Sequence, residues 1–68
     1  MNNEEREIKV NTQMKQLNHL LDKEEYDEIK IMCEELIDYW SKYDDEYLVD
    51  YFKTQLEESN KIIKNLEK

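Results

Sequence analysis

The apolar positions of this chain fall into three runs with helical spacing, and the clearest lies in the middle. Tyr26, Ile29, Cys33, Leu36, Trp40 and Tyr43 recur in steps of three and four, which lines them along one face of a helix. Met32, Ile37 and Tyr39 flank this seam and widen it beyond what one partner helix covers. The segment is therefore expected to be the most buried helix, packed on two neighbours or on another copy of the chain. Before it, Val10, Met14, Leu17 and Leu21 form a second line, with Leu20 beside it and Ile8 near its start. After it come Val49, Phe52, Leu56, Ser59, Ile63 and Leu66, with Leu48 and Ile62 alongside. Ser59, the one polar residue on this third seam, is read as a thin or solvated layer.

The breaks between the lines are read from phase and capping. Continued in phase, the first line would reach Glu24 and Glu28, but apolar positions resume at Tyr26, about 140° away at roughly 100° per residue. Leu21-Asp22-Lys23-Glu24-Glu25-Tyr26 has the form of a capping box, with Asp22 as N-cap, Glu25 reaching back to it and a Leu21–Tyr26 staple. The second break falls between Ser41 and Asp44, as a Ser41–Asp44 box or as an Asp44 cap flanked by Tyr43 and Leu48. Asn2 or Asn3 can cap the first helix, with Glu4, Glu5 and Glu7 near the positive end of its dipole. Lys61, Lys64 and Lys68 suit the negative end of the last. The expected fold is all-α: one domain, a small up-down-up three-helix bundle with helices over about 3–21, 23–42 and 45–67. The alternative is a helical hairpin whose remaining helix packs in a homodimer.

Composition favours association. With 68 residues, a domain buries only roughly 60% of its unfolded surface, and a mean hydropathy of −1.10 makes the core thin. One Cys excludes an internal disulfide, and with a single His it cannot build a structural zinc site of thiolates and imidazoles. A homodimer is the remaining route to more buried area. Gly, Pro and Ala are all absent, which removes the usual turn residues together with the commonest helix breakers. Nine lysines to one arginine, with many Asn, Ile and Tyr, is the amino-acid usage of an AT-rich genome, such as a low-GC bacterium or its phages and plasmids. The segment Met1–Glu7 is polar and acidic, unlike a signal peptide, and no apolar run approaches the roughly 20 residues that span a bilayer. A cytoplasmic protein with no membrane contact is expected.

Charge is the strongest functional signal. Eighteen acidic residues against ten basic ones leave a net charge of −8, which repels phosphate and disfavours direct nucleic-acid binding. On the middle helix Asp27, Glu28, Glu34, Glu35 and Asp38 lie off the seam, in rows spaced roughly 5 to 10 Å apart, comparable with phosphates along a nucleic acid. Such a face fits a basic or nucleic-acid-binding protein partner; it is also what the solvated side of any acidic helix looks like. Tyr26, Tyr39, Tyr43, Tyr47 and Tyr51 cluster with Trp40 around the second turn. Aromatic groups with polar tips are enriched at interfaces, and Tyr39, Tyr43 and Tyr47 join the five carboxylates as the candidate partner-binding set.

No catalytic, cofactor or metal site is expected. Cys33 lies mid-seam, where a thiol packs as a small hydrophobe. His19 has only Asp22 and Lys23 one turn on, and no phosphate loop, triad spacing or zinc motif occurs. Leu20 to Leu36 resembles the turn and second helix of a tetratricopeptide-type pair, without the Gly and small Ala positions of that family. Cys33-Glu34-Glu35-Leu36-Ile37, through Tyr43, is similar in spacing to the signature helix of the small aspartyl-phosphate phosphatases of sporulating bacteria. Those are acidic helical hairpins with a Ser-Gln-Glu-Leu-Asp motif; here Cys33 stands for the Ser and Ile37 for the Asp. Three functional readings follow. The first is a non-enzymatic regulator or inhibitor that presents the acidic, Tyr-rich surface to a basic protein. The second is a response-regulator phosphatase-like module, which that resemblance implies. The third is a structural oligomerisation module.

Overall fold

Asn2 opens the first helix. Its backbone is extended and its side-chain oxygen accepts from the Glu5 N–H at 2.8 Å, satisfying one of the donors that a helix start leaves free. In the computed structural model, which describes residues 2–66, three helices follow: α1 (Asn3–Asp22), α2 (Tyr26–Ser41) and α3 (Glu46–Leu66). No strand occurs among the described residues. The chain is the all-α three-helix bundle expected from its seams; the expected end of the last helix, at about 67, lies outside the described residues.

The two connections are built alike, and not as their sequences led us to expect. At the end of α1 the Glu25 N–H donates to the Leu20 carbonyl and the Glu24 N–H to the Leu21 carbonyl, both at 3.1 Å. These are the paired bonds of a Schellman ending, and Glu24 holds its left-handed position at φ 57°. Asp22 is thus the last residue of α1 rather than the cap of α2, and Glu25, in place of reaching back to it, directly precedes α2 without a side-chain cap. Running α1 on through Asp22 keeps Leu20 and Leu21 against the core. That burial outweighs the roughly 1 kcal/mol of a capping box.

The second connection repeats the pattern one step better. The Asp45 N–H donates to the Trp40 carbonyl at 3.2 Å and the Asp44 N–H to the Ser41 carbonyl at 3.1 Å, with Asp44 left-handed at φ 55°. Neither Ser41 nor Asp44 caps α3. The Ser41 hydroxyl donates back to the Ile37 carbonyl at 2.7 Å, and Asp45 accepts from the Leu48 N–H at 3.3 Å.

Leu17, Ile29, Cys33, Leu36, Trp40, Leu48 and Phe52 form one buried cluster. Four of the seven come from α2, so the middle helix is the most buried, as its wide stripe required. Met32, Ile37 and Tyr39 are half-buried against the cluster within a single chain. At about 100° per residue Met32 and Tyr39 fall on one side of the α2 seam, Tyr26 and Ile37 on the other. Lys9 stands over the Tyr39 ring, so the first side meets α1. Tyr26 lines a hollow with Ile63 and Leu66, so the second side meets α3.

Two expectations about individual positions fail. Ser59 is only 2% exposed: the layer it marks is closed to bulk solvent, not open to it. Ile8 is 62% exposed, because nine residues before Leu17 put it about 180° round the helix at roughly 100° per residue.

The packing is uneven. Among the described residues no Cα of α1 comes within 8 Å of one in α3. Apart from Val10, half-buried against the core, the start of α1 is held by polar groups: Trp40 Nε1 donates to Gln13 Oε1 at 2.9 Å, and Arg6 grips Asp45 through Nε at 2.6 Å and Nη2 at 3.4 Å. The molecule extends over 45 × 20 × 14 Å, longer than the roughly 31 Å of its longest helix, so the helices are staggered along the long axis.

A carboxylate ridge and an aromatic ladder as the candidate site

Because the α2 seam is turned inward between α1 and α3, the opposite face of that helix is free. Asp27, Glu28, Glu34, Glu35 and Asp38 are all exposed there. This shortest helix carries five carboxylates against one lysine, Lys30, which is half-buried. Lys42 reaches back to Asp38 at 3.4 Å, both side chains lying in solvent, where such a pair contributes little. The ridge is therefore almost uncompensated by its own helix.

Ile31 sits in the middle of the ridge and is 52% exposed. It lies three or four residues from each of Asp27, Glu28, Glu34 and Glu35, so it shares their face. Reading the seam alone passes it over; its place about 200° from Ile29, at roughly 100° per residue, was the available signal. An apolar side chain ringed by charge is the arrangement found at interface centres, where the apolar group gains burial and the rim supplies orientation.

The three tyrosines of the candidate set separate. Tyr39 and Tyr43 stack with Trp40 in a ladder on the α1 side of α2, with centroid separations of 5.0 Å for Tyr39–Trp40, 5.3 Å for Tyr39–Tyr43 and 5.9 Å for Trp40–Tyr43. Trp40 is buried and Tyr39 half-buried with Lys9 above its ring, whereas Tyr43 is exposed. Tyr47 stands in the first turn of α3, 74% exposed and outside the ladder. The side of α2 carrying Tyr39 adjoins Glu28 and Glu35, so ladder and ridge form one bent surface, with Tyr47 apart from it.

Other reactive groups are sparse among the described residues. Burial, and then the neighbouring Glu34, pushes the Cys33 thiol up to about 11, so it carries almost no thiolate at neutral pH, and its side chain is fully enclosed. Ile37 is half-buried beside it, and of Cys33 to Ile37 only Glu34 and Glu35 are exposed. His19 is exposed. Among the described residues no three His, Cys, Asp or Glu side chains converge as a metal site would require. No helix among them is long and apolar enough to cross a membrane. A hollow of about 510 Å³ along Glu5, Ile8, Lys9, Thr12 and Gln13 of α1 lies away from the ridge. No family model matches this chain, and neither a curated protein nor a solved structure matches it.

Proposed function

We propose that the chain is a non-enzymatic regulator or inhibitor that binds a basic or nucleic-acid-binding protein through the outer face of α2. Ile31, exposed among Asp27, Glu28, Glu34 and Glu35, is the observation that supports this reading over that of a merely solvated face. Like charges at helical spacing weaken the helix that carries them, and Ile31 among them leaves about half of its surface in solvent. A basic partner would relieve both at once. The carboxylates draw it in and set the orientation, Ile31 is buried at the centre, and Tyr39 and Tyr43 extend the contact along one flank.

The test is affinity capture from a low-GC bacterial lysate with three baits: the native chain, a neutralised chain carrying Glu28→Gln, Glu35→Gln and Asp38→Asn, and an Ile31→Ser chain. The reading expects one basic protein recovered by the native bait, lost from both variants and released by salt, since screening shortens the reach of the ridge to about 10 Å at 0.1 M. Equal recovery by all three baits overturns it.

A further inference from the structure

Helix α1 is joined to the rest of the molecule by fewer and more polar contacts than α2 and α3 share. Leu17 is its one fully buried residue. Towards its start Val10 packs half-buried against the core, and the other attachments are polar: Gln13 on Trp40, Lys9 over Tyr39 at 5.7 Å and Arg6 on Asp45. Even the last of these borders a hollow of about 150 Å³ lined by Arg6, Trp40, Tyr43 and Asp45.

The joint between α1 and α2 is the second, independent observation. It has the same two hydrogen bonds as the joint between α2 and α3, with a poorer residue at each key position. Glu24 is left-handed without the short side chain by which Asp tolerates that conformation. Glu25 caps nothing, where Asp45 caps Leu48. Nothing between Leu20 and Ile29 opposes helix: Gly and Pro are absent, and Lys and Glu are good helix formers. Turning Glu24, and with it Glu25 at φ −86° and ψ 71°, into the right-handed well makes Asn3–Ser41 one continuous helix. It removes the strained residue and gives the free N–H groups of the first turn of α2 acceptors within the helix.

Straightening lifts α1 from its own hairpin and uncovers the seat of Leu17. We infer that α1 of a second copy fills that seat, in a reciprocal exchange that produces a domain-swapped dimer. Within the straightened helix Met32 and Tyr39, which face α1 in the closed chain, lie within about 60° of Leu17 at roughly 100° per residue. One side of the long helix thus carries Leu17, Met32 and Tyr39, and two such helices can lie antiparallel with Leu17 of each against the Met32–Tyr39 side of the other. Short, strained hinge loops favour this kind of exchange. A charge of −8 on each copy opposes it, so the dimer gains from added salt. The inference is separate from the reading of the ridge and is tested without the partner.

The native chain and Glu24→Gly are compared by analytical ultracentrifugation up to millimolar concentration at high salt, with helicity followed by circular dichroism. Glycine accepts the bent turn and weakens the straight helix, so Glu24→Gly should raise the dimer dissociation constant at least about tenfold. In a dimer mixed from differently isotope-labelled chains, nuclear Overhauser contacts from the Leu17 methyls to the Met32 and Tyr39 side chains should run from one chain to the other. A native chain that stays monomeric, equal dissociation constants, or Leu17 contacts to Met32 and Tyr39 confined to one chain would each overturn the proposal.

Discussion

Leu36 is buried mid-seam between Cys33 and Trp40, and in so small a core its loss has no remedy. Leu36→Ala should lower stability by about 2–5 kcal/mol, a large share of the whole, measurable as a fall in the denaturant midpoint. Asp45 allows a cleaner experiment, since it both caps α3 and receives Arg6. The Arg6 hydrogen bond, helped by the Leu48 N–H and opposed by some desolvation, holds its carboxyl below the usual range. A depressed carboxyl contributes stability that is present above its unfolded pKa and lost as pH falls through the folded one. Asp45→Asn keeps the cap but not the charge. The native chain should therefore exceed it in thermal midpoint at neutral pH, and the gap should close as pH falls below about 4. Burial of Trp40, Leu36 and Cys33 was legible in the sequence because three-and-four spacing places them on one line. Ile31 and Ser59 were not, since hydropathy alone cannot tell an exposed apolar residue from a buried one, nor a buried small polar side chain from an exposed one.

At the scale of elements, the number and order of helices followed from the phase jump between Leu21 and Tyr26, from the break between Ser41 and Asp44, and from an Asn2 or Asn3 cap at the start. The turns did not. Their geometry depends on which residue turns left-handed, and a chain without glycine gives no marker for that position. The structure assigns it to Glu24 and Asp44, one step before each cap. The weakness of the first joint is then a matter of side-chain length, and it can be repaired. Glu25→Ser should supply the missing cap of α2 and add about 1 kcal/mol. In a domain of this size that raises the thermal midpoint by roughly 4–8 °C. An unchanged midpoint would show that the first turn of α2 is satisfied by water.

Viewed whole, the molecule is a tight α2–α3 hairpin with α1 laid along one side. Stability should be graded accordingly. Backbone amides of α1 before Gln13 should exchange with solvent well ahead of those around Cys33 and Phe52, through openings that leave the hairpin intact. Uniform protection across all three helices would contradict this ordering. Charge acts at the same scale: the α2 ridge repels itself in the folded chain, so moderate salt should raise the melting point even though it weakens the Arg6–Asp45 pair. A melting point that falls with salt would mean that the pair outweighs the ridge.

The two glycine-free turns have a genetic side. Every Glu and Asp codon is one base change from a Gly codon, so the relaxed form of each joint is a single mutational step away. The two steps are unequal, because aspartate already tolerates the left-handed well better than glutamate does. Random mutagenesis with selection for heat resistance should therefore return glycine at position 24 before position 44. The same substitution would fix the chain in its closed form, so a population under such selection would lose the freedom to exchange α1 as it gained rigidity.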